Sequence, residues 1–382
     1  MKNIYLDHGA TSFPKAPGVA DAVYKYMTEV GANVSRGTYA QAISAASVVL
    51  ETRELLMKLF NFNYGSEYVV FTPGVTFGIN QILRGYVHPG DHVIVSSLEH
   101  NAVMRPLVDM EREGVTFARI PANEDGITDP KDIEPMITEN TSLMVICHAS
   151  NVCGTIFPLR EAAEVCRRHH IPLVVDASQT AGHYPIDFEE LGLAALCVPG
   201  HKGLLGPQGI GATLFGPGFA AAVTPLVMGG TGSFSDSEEM PDCLPDKFES
   251  GTMNLPGIYG LHAALEYTLS ETVEKRRQHE MELTRKFIDG LLDAHVRICG
   301  TKDMDKRVGV VSLDFEYDDN SQAAYYLDSD YGIRTRTGMH CAPNAHKTIG
   351  TFPQGTVRFS FGYGTTEEDV EYAVRAVREV AE

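Results

Sequence analysis

Apolar positions along the chain follow two rhythms. Short unbroken runs occur at Tyr68-Val69-Val70-Phe71, His92-Val93-Ile94-Val95, Leu143-Met144-Val145-Ile146-Cys147, Leu173-Val174-Val175 and Ala195-Leu196-Cys197-Val198. Runs of this length without polar alternation read as strands buried on both faces. Between them, apolar residues return at helical spacing. The clearest case is 42–60, with Ala45, Val48, Val49, Thr52, Leu55, Leu56 and Leu59 on one face. Further helices are predicted over 16–30, from about Phe77 to Tyr86, and over 160–169. Strand, helix and strand across 143–175 make a βαβ unit, which requires a parallel sheet.

The second half has a different texture. Residues 212–258 are loop-rich, a feature that marks function or an interface in a compact domain. A long helical region follows over 257–295, with a break near residue 270. Strands at 308–315 and 356–360, a helix over 321–331 and an amphipathic helix over 366–381 predict a C-terminal α+β unit. At the other end, residues 3–15 hold a short strand and a turn.

The chain has 382 residues, 43% of them apolar, and a formal net charge of -19. That charge argues against nucleic acid or an anionic membrane surface as the main partner. No run of about eighteen apolar residues appears, and the N-terminus has no signal-peptide core, so a cytoplasmic protein is expected. Cysteines at 147, 153, 166, 197, 243, 299 and 341 form no Cys-x-x-Cys pair. They read as reduced thiols, and no metal site is expected.

Candidate chemistry gathers where apolar runs end. The run at 195–198 leads into Pro199-Gly200-His201-Lys202-Gly203-Leu204-Leu205-Gly206-Pro207-Gln208-Gly209. A lysine on a glycine-rich loop at a strand end is a candidate for covalent attachment to a carbonyl, or simply a surface lysine in a turn. The run at 171–175 ends in Asp176. An aspartate for a pyridinium nitrogen and a lysine for an aldehyde are the protein's share of pyridoxal phosphate (PLP) chemistry. Thr72-Pro73-Gly74-Val75-Thr76 joins a strand to a helix. It is either an anion site built from free N–H groups or an ordinary turn with Thr76 as the helix cap. His100 lies just beyond another strand, where a ring could stack on a flat cofactor. Cys341 sits in Arg334-Thr335-Arg336-Thr337-Gly338-Met339-His340-Cys341-Ala342-Pro343. Neighbouring positive charge from His340, Arg334 and Arg336 would favour its thiolate.

Together these motifs resemble the cysteine desulfurase and selenocysteine lyase family of class V aminotransferase-fold PLP enzymes, in its branch with a short cysteine loop. The resemblance is carried by Gly-His-Lys-Gly-Leu-Leu-Gly-Pro-Gln-Gly at 200–209, Arg-Thr-Gly-Met-His-Cys at 336–341, Glu-His-Asn-Ala-Val at 99–103 and Phe-Glu-Ser-Gly-Thr-Met-Asn at 248–254. It implies an α/β fold of type I, with a mostly parallel seven-stranded sheet and a smaller C-terminal α+β domain. The implied division is a segment 1–15 packing with the small domain, a large PLP-binding domain over 16–258, and a small domain over 259–382 that carries Cys341 and Arg358.

The same resemblance implies roles. Lys202 holds the cofactor, Asp176 meets its ring nitrogen, Gln179 lies near its phenolic oxygen and His100 stacks on the ring. Val75, Thr76 and His201 take the phosphate, and Thr252 reaches the phosphate of a second subunit. Asn151 and Arg358 hold the substrate carboxylate, with Arg336 nearby, and Cys341 accepts sulfur. The implied reaction converts L-cysteine to L-alanine in a homodimer, with a sulfur-acceptor protein as a further partner. The rival readings are a selenocysteine lyase, a transaminase or β-eliminating lyase in which Cys341 is incidental, and a non-catalytic sulfur carrier. The chain departs from the family's pattern at Pro199, where Ser or Thr is usual, and at His8, Ser35 and Met339.

Overall fold

Apolar runs with no polar face can be buried only inside a sheet covered on both sides. The computed structural model, which describes residues 2–34, 37–315 and 319–382, places them there. Ser35 lies outside the described residues. After a short first strand β1 (Ile4–Tyr5) come β2 (Val69–Thr72), β3 (His92–Ser96), β4 (Thr116–Ile120) and β5 (Thr141–Cys147). These are followed by β6 (Leu173–Asp176), β7 (Ala195–Pro199) and β8 (Gly211–Phe215). Strands β2 to β8 form a seven-stranded sheet in the order β2-β8-β7-β6-β5-β3-β4. Only β8 runs antiparallel to its neighbours.

Alternation along β7 shows why its sequence is apolar throughout. Leu196 and Val198 enter one core, beside Leu56 and Phe60. Ala195 and Cys197 enter the other, beside Val95, Val145 and Phe215. Successive side chains point to opposite faces, so a strand covered twice needs apolar residues at every position. Sequence reading missed two strands of this sheet. β4 is an edge strand whose Thr116 and Arg119 are exposed, so it lacks the apolar run. β8 lies at the start of the stretch read as loop, directly after the glycine-rich segment.

A second sheet follows from β9 (Arg297–Cys299), β10 (Val310–Asp314), β11 (Ile333–Arg334), β12 (Arg336–Gly338) and β13 (Thr356–Ser360). β12, β13, β10 and β9 form an antiparallel sheet in that order. β11 pairs instead with β1, in parallel. Helices Val273–Asp289, Asn320–Ser329 and Glu367–Val380 supply Phe287, Leu327 and Val377 to a core shared with Phe359 and Leu313. Ile4 and Leu6 belong to this core, so the N-terminal segment packs here although Ile4 lies 329 positions before its partner Ile333 on β11.

The predicted helix over 42–60 is Ala40–Leu59. The helix over 16–30 is shorter, Val19–Lys25, and widens into a π-helical turn over Tyr26–Val30. The long helical region splits at Thr272, whose φ of 63° ends one helix and whose hydroxyl caps the next at Lys275. No helix among the described residues is long and apolar enough to cross a membrane.

The loop-rich stretch is anchored by one buried ion pair. Arg53 Nη2 meets Glu249 Oε2 at 2.8 Å, and Glu249 Oε1 accepts the Phe71 N–H at 2.6 Å. Glu249→Ala would leave the Arg53 charge buried and unmatched. It should cost about 3–5 kcal/mol of unfolding free energy in a urea titration. A loss below about 1 kcal/mol, the range of an exposed pair, would contradict this anchoring role.

Candidate active site

Strands β3, β5, β6 and β7 are parallel, so Ser96, Cys147, Asp176 and Pro199 end on one edge of the sheet. Open parallel sheets bind ligands at that edge. After β6 the chain turns at Asp176, whose Oδ1 accepts the Ser178 N–H at 2.8 Å. After β7 the glycine loop folds back against this turn. A Cβ at Gly203 would strike the carbonyl oxygen of Ala181, so only glycine lets the two backbones meet. Lys202 and Asp176 thereby become walls of one cavity of about 610 Å³. Val75, Thr76, His100, Asn151, Gln179 and His201 line the same cavity.

Burial pushes the Lys202 amine down from 10.5 to about 8, against the opposing pull of Asp176. The Lys202 amine makes no hydrogen bond among the described residues, and Lys202 lines the cavity. His100 caps the helix Asn101–Met110, and its Nδ1 accepts the Ala102 N–H at 3.0 Å. The ring therefore carries its proton on Nε2, and burial keeps it below the usual histidine range. Gln179 donates from Nε2 to the Gly9 carbonyl at 3.0 Å. Burial pushes His201 down to about 4, so it is neutral.

The helix expected to start at Phe77 starts at Val75 and runs to Tyr86. Its cap is Gly74, with no side-chain bond, so Thr76 is not the cap. The hydroxyl of Thr76 and the first N–H groups of the helix are thus left for the cavity.

Cys341 is exposed and does not line the cavity, yet its backbone is fastened to the cavity walls. Its carbonyl accepts the N–H of Asn101, the neighbour of His100, at 2.7 Å. The carbonyl of His340 accepts from Asn151 Nδ2 at 2.7 Å. Asn344 donates to the Ser97 carbonyl at 2.7 Å. His340 and Cys341 both hold positive φ, 46° and 58°. Two consecutive non-glycine residues in this region are costly and are kept only by such external ties.

The profile of the aminotransferase class-V family matches residues 4–373. The chain belongs to the class-V aminotransferase family. A probable cysteine desulfurase of Methanothermobacter thermautotrophicus is 31% identical, with 99% of this chain and 95% of that protein covered. The cysteine desulfurase IscS of Dictyoglomus turgidum is 28% identical over 100% of this chain and 95% of its own. In solved structures, an apo cysteine desulfurase from Thermococcus onnurineus NA1 superposes with a TM-score of 0.93 at 28% identity, covering 99% of this chain and 94% of that one. The cysteine desulfurase CsdA from Escherichia coli gives 0.89 at 28% identity, with 99% and 94% covered.

Within this class-V fold, one expectation needs correction. His340 cannot supply positive charge to the thiol. It is buried, with Nε2 on Thr356 Oγ1 at 3.2 Å, and burial drives its pKa down to about 2. Arg358 does not line the cavity as a free fork. Its Nη2 is 2.8 Å from Asp7 Oδ1, its Nη1 donates to the Asn151 carbonyl at 3.1 Å, and only Nε lacks a partner. Thr252 is exposed and faces a separate cavity of about 230 Å³ with Phe77 and Phe248. Arg336 pairs in register with Arg358 and is exposed.

The sequence did not announce two carboxylates, the part-buried Asp7 and the buried Glu99. Asp7, partner of Arg358, lay in a turn with no visible counter-charge. Glu99 accepts from Ser96 N, Ser96 Oγ and Cys147 N at 3.2, 2.7 and 2.8 Å. It ties β3 to β5 behind His100, and burial pushes its pKa up to about 8. Its adjacency to His100 was the one available signal.

The amine of Lys202 gives a direct test. An amine-directed probe, followed by peptide mass spectrometry, should label Lys202 increasingly as pH rises, with half-maximal rate near 8. A midpoint at the ordinary lysine value of 10.5 would contradict the buried, partner-free placement.

Proposed function

We propose that the protein is a PLP-dependent cysteine desulfurase that converts L-cysteine to L-alanine and receives the sulfur on Cys341. The observation that carries this reading is the tying of an exposed cysteine, through Asn101 and Asn151, to the walls of the cavity that holds Lys202 and Asp176. The donor set fits the cofactor. A buried amine suits its aldehyde, a buried carboxylate suits its ring nitrogen, and free helix N–H groups with the Thr76 hydroxyl suit its phosphate.

When bound, PLP supplies an electron sink for carbanion chemistry at the substrate's Cα. The chain's own residues do the rest. Lys202, depressed to about 8, carries a useful neutral fraction near neutral pH, so it can bond the aldehyde and, once released, take a proton from Cα. Asp176 would hold the proton of the ring nitrogen, the His100 ring would stack on the cofactor ring and Gln179 would meet its phenolic oxygen. Pro199 offers the phosphate neither hydroxyl nor N–H, which places more of that task on Val75, Thr76 and His201. The substrate carboxylate is assigned to Asn151 and to Arg358 Nε, with Arg336 adding charge from β12. The Cys341 sulfur attacks the substrate sulfur. The S–S bond forms as the C–S bond breaks, and the carbon keeps the electron pair and takes a proton.

Two copies are proposed to form a homodimer. Tyr24, Met27, Tyr39 and Ile43 expose large apolar side chains near the first helices, and Leu226, Val227, Met228 and Phe234 do so in the loop-rich stretch. Solvent-exposed apolar groups of this size suit a self-complementary interface, across which Thr252 would reach the partner's phosphate. The free thiols fit a reducing cytoplasm, and a sulfur-acceptor protein would discharge Cys341.

Lys202→Ala should abolish borohydride-reducible attachment of PLP, read by absorbance and intact mass. A mutant that retains such attachment would show the lysine to be misassigned. Cys341→Ala should retain PLP and still bind L-cysteine, but form no alanine from it. Its turnover of L-selenocysteine should fall much less, because selenide leaves with little help. Undiminished alanine formation from L-cysteine by Cys341→Ala would overturn the desulfurase reading and leave a PLP lyase. Sedimentation of a fully active monomer would remove the dimer.

A further inference from the structure

Residues Thr11, Ser12 and Lys15 of the N-terminal segment converge on a single carbonyl of the site. His201 O, the oxygen of the peptide that leads into Lys202, accepts the Ser12 N–H at 2.9 Å. It also lies 3.1 Å from Ser12 Oγ, 3.1 Å from Thr11 Oγ1 and 3.1 Å from Lys15 Nζ. Among the described residues Lys15 pairs with no carboxylate. Its other contacts are Thr11 Oγ1 at 3.1 Å and Ser12 Oγ at 3.3 Å, so its three N–H bonds meet three neutral oxygens. Burial lowers the Lys15 pKa from 10.5 to about 8, so below that pH it is a half-buried ammonium spent on neutral groups, where an ion pair is the common recompense for desolvation.

A count of hydrogens gives this arrangement a purpose. An ammonium cannot accept, so Thr11 Oγ1 and Ser12 Oγ both accept from Lys15. Ser12 then donates its hydroxyl hydrogen to His201 O. That carbonyl already receives Ser12 N–H, Ser12 O–H and Lys15, more donors than its two lone pairs need. The single Thr11 hydrogen is left for its remaining neighbour, His201 Nδ1, at 3.1 Å. A neutral imidazole that accepts at Nδ1 carries its proton at Nε2. His201 lines the cavity, and its Nε2 has no hydrogen-bond partner among the described residues.

We propose that Lys15 and Thr11 are positioning residues that fix His201 in the Nε2–H tautomer, so that the ring presents a donor to an anionic group in the cavity. If the ring carried Nδ1–H instead, Thr11 would have to donate to the crowded carbonyl, and a lone pair would face the anion. Removing Lys15 frees a place on that carbonyl and opens this alternative. The assignment of the anion as the PLP phosphate rests on the proposed function. The tautomer itself does not.

The test uses the full-length protein labelled with ¹⁵N-histidine, without and with PLP. The wild-type His201 signals should show a protonated Nε2 and a bare, hydrogen-bonded Nδ1. Lys15→Met, which keeps the aliphatic stem, should move them toward a mixture of tautomers. Thr11→Val should do the same from the other side, so the claim does not depend on one variant folding well. In titrations of the cofactor-free protein, each variant should bind PLP about tenfold more weakly, the worth of one good hydrogen bond. A wild-type His201 protonated at Nδ1 would overturn the proposal. So would variants that fold, keep the wild-type histidine signals and bind PLP within about twofold of wild type. A wild-type protein that binds no PLP would defeat the functional reading, while the tautomer would still be decided by the spectrum.

Discussion

The constraint on which the rest depends is the seating of a lysine amine in a buried cavity at the carboxyl edge of a parallel sheet. Burial disfavours the ammonium, so the amine is nucleophilic at a pH where an exposed lysine is not. That state requires the glycine loop to press against the turn after Asp176. The loop can do so only because Gly203 has no side chain to meet Ala181. The sheet supplies the two strand ends, and its two apolar cores fix their spacing. Asp176 offsets part of the desolvation without forming a close ion pair with the amine.

A second demand is that parts distant in sequence meet at this edge. The N-terminal segment serves as a tie between the two sheets. Leu6 lies in the core of the smaller sheet, and Asp7 holds Arg358 on β13. A few residues later Thr11, Ser12 and Lys15 grip the carbonyl before Lys202. The cysteine loop makes the opposite crossing, from β12 to Asn101 and Asn151. The loop and strand that carry Cys341 and Arg358 are therefore held against the sheet edge that carries Lys202 and Asp176 by backbone carbonyls and a few polar side chains.

Much of this is legible in the sequence. The unbroken apolar runs named five strands of the large sheet, because burial on both faces leaves a signature in composition. Lys202, Asp176 and His100 stood out because each follows such a run. What was not legible has physical reasons. β4 is an edge strand and β8 is short and glycine-led, so neither carries the signature. The neutral state of His340 depends on burial by residues from other elements, which sequence proximity to arginines cannot show. The Asp7–Arg358 pair spans almost the whole chain, and nothing local to either residue announces it.

The central claim is that sulfur from the substrate arrives on Cys341. The most direct measurement is mass spectrometry of the wild-type protein after brief exposure to L-cysteine, with peptides kept under non-reducing conditions. The account predicts one added sulfur atom on the peptide that contains Cys341. Sulfur on Cys243, the other exposed cysteine, with none on Cys341 would contradict it.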